Sequence, residues 1–460
     1  MKRDDTSQAA PLPETPVLRA DPLADDTIAL ILDGQAGHDG APLALIALVN
    51  RELAGWRSNA DLAGWRAAPD VPPHVAAALE HYVAAAMRLP EWADQADIAR
   101  AEASFFDLSV LSCTLLFCAS LPECYVIPDL AAVLHAAGQL EQHADYRIRA
   151  TAAMIFPVMM HGGLTSPEGG GVAQTIKVRL IHATIRYLIL RGSPSRAQMG
   201  AVAPLAPTGP GLYETLYARG WDVGLLGLPC NQEELAYTLL TFHYVFLRAL
   251  RRLGLALPAS DERAYLHAWN VTGHLLGIER ALMPDTMEQA EALFERIQAN
   301  ARQCGAAGDP RPALAAALLR VMENEIPIRI LKPFPQLLTR YLCGPTASRA
   351  LGLDGRVSWL ARSLFACAMG LTRAVDTLVR LVVPGFSITR LVTRIVGYRF
   401  AARVLMDQTR PLKLPSALQG QLQHAMREWH TDPKAPGWIN ALEARFTAGA
   451  APRPGKGAAA

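Results

Sequence analysis

Apolar residues recur at intervals of three and four through most of this chain, and almost nowhere alternate with polar ones at the two-residue spacing of a half-buried strand. The pattern predicts an all-α protein. Its densest passage runs from Tyr146 to Leu190, where two apolar segments flank a turn containing Gly162, Gly163 and the triplet Gly169 to Gly171. Pro157 is expected to kink or end the first segment, and the glycines to make a flexible connection. For the triplet, ordinary turn chemistry is a better reason than the close approach of a flat ligand. The run 107–122 is apolar on all sides, which predicts a helix buried at the centre of a large fold. Another helix is expected from Leu130 to about Leu140, opened by Pro128 and Asp129. Asn231 with Glu234 predicts a capping box for a helix reaching Arg252, and Ser260 a cap for one that stops before Pro284.

The two ends read differently from this middle. Residues 1–26 are acidic, proline-containing and non-periodic, as in a mobile arm. Residues 27–345 form the main domain, 346–447 a tract of basic amphipathic helices, and 448–460 a low-complexity, disordered tail. Between 356 and 410 apolar blocks carry Arg362, Arg373, Arg380, Arg390, Arg394, Arg399, Arg403 and Arg410, with Asp376 and Asp407 the only acids. Such helices are expected to pack on the core with their arginines snorkelling outward. Peripheral contact with an anionic membrane surface is the alternative.

Composition narrows the classes. With 51% hydrophobic and 19% charged residues over 460 positions, the chain can bury a large core. Lysine plus arginine number 44 against 42 acids, which gives no support to a nucleic-acid partner. The longest uncharged helical runs, 108–122 and 150–160, fall short of the ~20 residues a membrane span needs. Seven scattered cysteines, without a CxxC or CxxCH spacing and without a secretory leader, predict reduced thiols and a cytoplasmic location. The sequence has no Walker A, GxGxxG, GxSxG or HExxH motif, so the commonest nucleotide, hydrolase and zincin readings fall away.

Candidate chemistry lies in the second apolar segment. At about 100° per residue, Arg179, His182 and Arg186 fall within about 60° of one another, beside Val178, Ile185 and Ile189. Buried arginines need a partner, and nothing acidic stands within a helical turn, so that partner is a distant acid or a bound anion. Haem fits: its iron takes a neutral imidazole and its propionates suit arginine. Two neighbouring cations also disfavour protonation of His182. A hydrogen-bonded core histidine is the bland alternative, and it is the commoner outcome on pattern alone. His267 and His274, seven apart on one face, lack a third ligand and predict no second metal site.

At these residues the chain resembles a known family. The run R-L-I-H-A-T-I-R (179–186), with R-I-R-A-T (147–151) before it, looks like the core of the latex clearing protein and MpaB-type oxygenase family, the rubber-oxygenase catalytic domain. L-P-E-W-A-D (89–94), N-Q-E-E-L-A-Y-T-L-L-T-F (231–242) and W-N-V-T-G-H-L-L-G-I-E-R-A-L-M-P (269–284) agree in order, so the resemblance spans residues 85–285. It implies a globin-like helical core around a non-covalent b-type haem, with extra helices before and after. His182 would be the iron's proximal ligand, Arg179 and Arg186 would hold cofactor charge, and Arg147 with Thr151 would line the distal, catalytic face. The implied partners are dioxygen, a hydrophobic unsaturated or lipid-like substrate, and an electron donor. Latex-clearing enzymes have a lysine just before that threonine, where this chain has Ala150, and the acid they use as a base has only Asp129 and Glu123 as candidates. Oxidative C=C cleavage, hydroxylation, peroxidase-like chemistry and a sensory haem stay open. So does a non-catalytic lipid-binding protein whose haem site has decayed.

Overall fold

A computed structural model describes residues 15–33, 41–108, 110–136, 144–197, 200–209, 211–301, 308–324, 326 and 328–382. These residues are helical almost throughout, as the period-3.6 pattern requires. The one sheet among them is a two-residue antiparallel ladder that pairs Ala201 with Asp222 and Val202 with Trp221. The first helices are α1 (Pro22–Leu32), α2 (Ala41–Ala54), α3 (Pro73–Ala86) and α4 (Gln95–Leu108). The all-apolar run becomes α5 (Val110–Leu115), a π-helical turn (Leu116–Ser120) and α6 (Leu121–Cys124), and is buried as its composition demands. Next come α7 (Pro128–Ala136), α8 (Ala144–Met159) and α9 (Gly171–Leu190).

Beyond the small ladder, α10 (Leu212–Ala218) and α11 (Val223–Leu226) lead to α12 (Gln232–Phe242), α13 (Tyr244–Leu253) and α14 (Ala259–Leu275). The remainder is α15 (Met287–Asn300), α16 (Arg311–Asn324), α17 (Phe334–Cys343), α18 (Pro345–Ala350) and α19 (Trp359–Val382). Helix α9 touches α1, α8, α10 and α14, and α14 lies along α4. Aromatic stacking links the layers. Phe246 of α13 stacks on Phe105 of α4 at 6.3 Å and on Tyr265 of α14 at 5.0 Å, and Phe242 stacks on Trp269 at 5.5 Å. The buried Tyr82 hydroxyl donates to the Ile176 carbonyl at 2.6 Å and ties α3 to α9.

Several expectations change. The acidic stretch does not run as a free arm to residue 26: from Val17 onward it docks on the start of α12, with Leu228 N–H donating to Val17 O and Gln232 N–H to Arg19 O, both at 2.9 Å. Its helix α1 then buries Asp25, Ile28, Ile31 and Leu32. Residues 1–14 and the tail 448–460 lie outside the described residues. Pro157 sits inside α8, which continues to Met159. The glycine passage is a close-packed turn rather than a flexible link: a Cβ at Gly163 would stand 2.1 Å from the Pro157 carbonyl oxygen, and one at Gly169 2.3 Å from that of Gly162. Asn59 staples this turn, donating to Gly163 O and Ser166 O at 2.9 and 2.8 Å and accepting from Val172 N–H and Ala173 N–H at 3.1 and 3.2 Å.

The helix expected to reach Arg252 breaks at His243, whose φ of −112° and ψ of −62° divide α12 from α13. Helix α14 takes its N-cap at Pro258, not Ser260. At the start of the C-terminal tract α18 is packed in, but α19 touches the body through Ala361, Phe365 and Met369 while most of its described side chains face water. Packing on the core therefore describes only one edge of α19. From 372 onward that tract's side chains lie outside the described residues.

Candidate active site

Helix α9 has a closed side and a half-open side. On the closed side Arg186 is fully buried: its Nε donates to Asp25 Oδ1 at 2.7 Å and its Nη1 to the Cys230 carbonyl at 2.8 Å. Two turns earlier Arg179 donates to both oxygens of Asp21, from Nε at 2.5 Å and from Nη2 at 2.6 Å. The compensation for these cations is thus a distant acid, supplied twice by the first turn of α1, where the helix N-terminus also favours negative charge. Arg179 and Arg186 are therefore engaged by protein carboxylates, the distant acid of the two partners the sequence left open, rather than by a bound anion. Burial raises the Asp25 pKa to about 6 even against the pull of Arg186.

Beside these two arginines on the helix surface His182 is half-buried, with half-buried Val178 and Ile185 and exposed Ile181 farther round. His182 has its Nδ1 buried while the residue as a whole keeps partial access to solvent. Helix α8 packs against α9 and contributes Thr151 and Met154, both half-buried. Arg147 lies in α8 one turn before Thr151, and its side chain falls outside the described residues, as does that of Ala150. The fold therefore sets the helices of Thr151 and His182 side by side.

Four buried acids near this core escaped the sequence reading or were only glimpsed in it. Asp129 at the start of α7 and Glu234 in the first turn of α12 are both buried and interact electrostatically. Glu234 N–H donates to Asn231 Oδ1 at 3.0 Å, the forward half of the expected capping box. Burial and the nearby Asp129 raise the pKa of its carboxyl well above the usual range, against the pull of the Cys230 and Asn231 backbone N–H groups. Glu123 is instead committed to Arg248 of α13. Glu102 accepts from Gly162 N–H at 2.9 Å beneath the glycine turn, its pKa raised by burial. The signal for Glu234 was present, but its place in a capping motif gave it a sufficient local reason.

Among the described residues no three His, Cys, Asp or Glu side chains stand together as a metal-ion site. His267 Nε2 accepts from Asp94 N–H at 2.8 Å and its ring, like that of His274, lies edge-on to Trp92. His243 is buried with neither ring nitrogen hydrogen-bonded among the described residues, and burial holds its pKa down at about 3. The six described cysteines are free thiols, five of them buried. A macrocycle-held iron asks the protein for a single imidazole rather than a cluster, and a half-open imidazole on an apolar helix face meets that need. The guanidinium groups beside it do not complete the fit, because they are already paired.

Comparison with known proteins agrees with this architecture. A structure of latex clearing protein in the closed state superposes with a TM-score of 0.57 at 20% identity, covering 91% of this chain and 92% of that one, a likeness of fold. A rubber oxygenase from Streptomyces sp. (strain K30) is 24% identical over 279 residues, and the chain spans 60% of that relative's length and aligns over 60% of its own. The family model described as "ER-bound oxygenase mpaB/B'/Rubber oxygenase, catalytic domain" matches residues 114–378, which takes in every recognised motif except 89–94 and extends well past the last of them. With its all-α fold and more than half its length inside that match, this chain belongs to the mpaB and rubber oxygenase catalytic-domain family.

Proposed function

We propose that this chain is an oxygenase that holds a b-type haem non-covalently through His182 and acts on an apolar, unsaturated, isoprenoid-like substrate. The reading rests on one observation: in a chain of this oxygenase family, the histidine at the matching motif stands half-open at the border of the apolar flank of α9, while the charges of the arginines beside it are neutralised by Asp21 and Asp25. Haem, when bound, supplies the iron chemistry that makes dioxygen reactive toward a double bond. The chain's own contribution is positioning. The Asp21–Arg179 and Asp25–Arg186 pairs fix the rotation of α9 and so the direction of His182. Val178, Ile185 and Met154 supply an apolar wall that keeps water away, and the Thr151 hydroxyl is a hydrogen-bond donor on the adjoining helix, where negative charge would need one. Arg147 shares that distal role in the proposal. Burial raises the pKa of Glu234, which favours its holding a proton in the interior.

Cleavage places one oxygen atom of O2 on each carbon of the double bond and leaves two carbonyl groups, so the reaction balances without another reactant. The test is oxygen uptake and carbonyl formation on polyisoprene emulsions and smaller terpenoids, with the absorption spectrum recorded alongside. Turnover and a Soret band, both lost in His182→Ala with the far-UV circular dichroism unchanged, support the reading. A colourless protein that takes up no haemin favours the non-catalytic lipid-binding alternative.

A further inference from the structure

The described part of α19 exposes an apolar surface that the chemistry at α9 does not use. Ala361, Phe365 and Met369 face the body, with Phe365 set edge-on to Phe334 at 5.6 Å. At 100° per residue Leu360, Leu364 and Leu371 fall within an arc of about 40° on a different side of the helix. They are 43%, 39% and 65% exposed, and Trp359 at the start of the helix is 76% exposed. The short turn Arg329–Leu331 touches α19 and adds Ile328 and Ile330, at 54% and 37%. Six large apolar side chains in water on one helix and its neighbour need a cover. Single exposed leucines elsewhere do not.

Charge identifies that cover. Arg329, Arg356 and Arg362 are exposed around the patch. Over 356–410 the chain has nine arginines and two aspartates, whereas the whole chain is only +2, so everything outside this tract is net negative. A second copy would bring the same basic tract against itself, and residues 383–447 of this chain would bring more of the same charge. An anionic surface would not be repelled. No described helix is long and apolar enough to cross a membrane, which suits a helix of 24 residues, about 36 Å long, lying along one.

We propose that α19 docks this protein on an anionic lipid bilayer, with Trp359, Leu360, Leu364 and Leu371 entering the headgroup boundary and Ile328 and Ile330 beside them. The arginines at its flanks take the lipid phosphates. The inference stands whether or not His182 binds haem.

Cys367 offers a reporter, since it is exposed near the leucine stripe and the five other described cysteines are buried. In the full chain carrying Cys304→Ser, an environment-sensitive NBD label on Cys367 should brighten and shift to the blue with phosphatidylserine-containing vesicles. The response should be weak with phosphatidylcholine alone and should fall as salt rises. Leu360→Glu with Leu364→Glu should lower partitioning by more than about tenfold, and Arg356→Ala with Arg362→Ala should weaken it on anionic vesicles only. Both pairs are exposed, and unchanged circular dichroism would confirm that they fold. A label that stays in water with every vesicle, or partitioning untouched by either pair, overturns the proposal. So does a label already in an apolar setting before lipid is added: dependence on protein concentration would then indicate a second copy, and independence would indicate the chain's own residues 383–447.

Discussion

Helices α9 and α19 both set single arginines into apolar sequence. In α9 the cations turn inward, because Asp21 and Asp25 arrive from α1 to meet them, and the helix is surrounded by α1, α8, α10 and α14. In α19 no carboxylate pairs with Arg362 among the described residues, and the apolar stripe stays in water with it. Spacing alone does not decide whether such a helix is interior. The supply of acids from elsewhere in the chain does, since a guanidinium can leave water only when a fixed negative charge replaces the hydration it gives up.

The comparison can be broken first at Arg186. Arg186→Met leaves Asp25 buried without its partner and frees the Cys230 carbonyl, and should cost about 3–5 kcal/mol in urea unfolding. Adding Asp25→Leu should recover much of that loss, because an apolar pair asks for no desolvation. If the single variant cost nothing, the closed side of α9 would not be closed.

A smaller effect sharpens the same point through pH. The Asp25 carboxyl in the folded protein has its pKa raised from 3.8 to about 6, so the folded state holds this proton more tightly than the unfolded chain does. Its contribution is therefore complete below about pH 4 and is lost as pH rises through about 6, a change on the order of 3 kcal/mol. Asp25→Asn should remove that slope from stability measured at pH 4, 5, 6 and 7. The smallest effect belongs to α19: Arg362→Ala should alter the unfolding free energy by less than about 0.5 kcal/mol, as for an exposed cation without a partner.

What could be read from the chain follows the same divide. The period of apolar residues located α8 and α9, and the all-round apolar run 107–122 was rightly placed in the interior. The aspartates that complete α9 were hidden: they lie 158 and 161 residues away, in a stretch whose acidity reads as solvated. That same acidity is what two buried arginines require. The break at His243 carries no proline or glycine to announce it, and the close-packed glycine turn looks in sequence like a flexible one, because glycine serves both. Asn59, more than a hundred residues before the turn it staples, could be found only by folding the chain.

The most direct test of the account uses the difference between half-open His182 and the paired arginines beside it on α9. His182→Gly should remove the Soret band and the iron, while leaving the Asp21–Arg179 and Asp25–Arg186 pairs and the cooperative unfolding transition in place. Because the His182 side is half-open, imidazole added to that variant with haemin should restore the band. A variant that keeps its band without imidazole, or one whose band no imidazole restores although the protein stays folded, would contradict His182 as the residue that holds the iron.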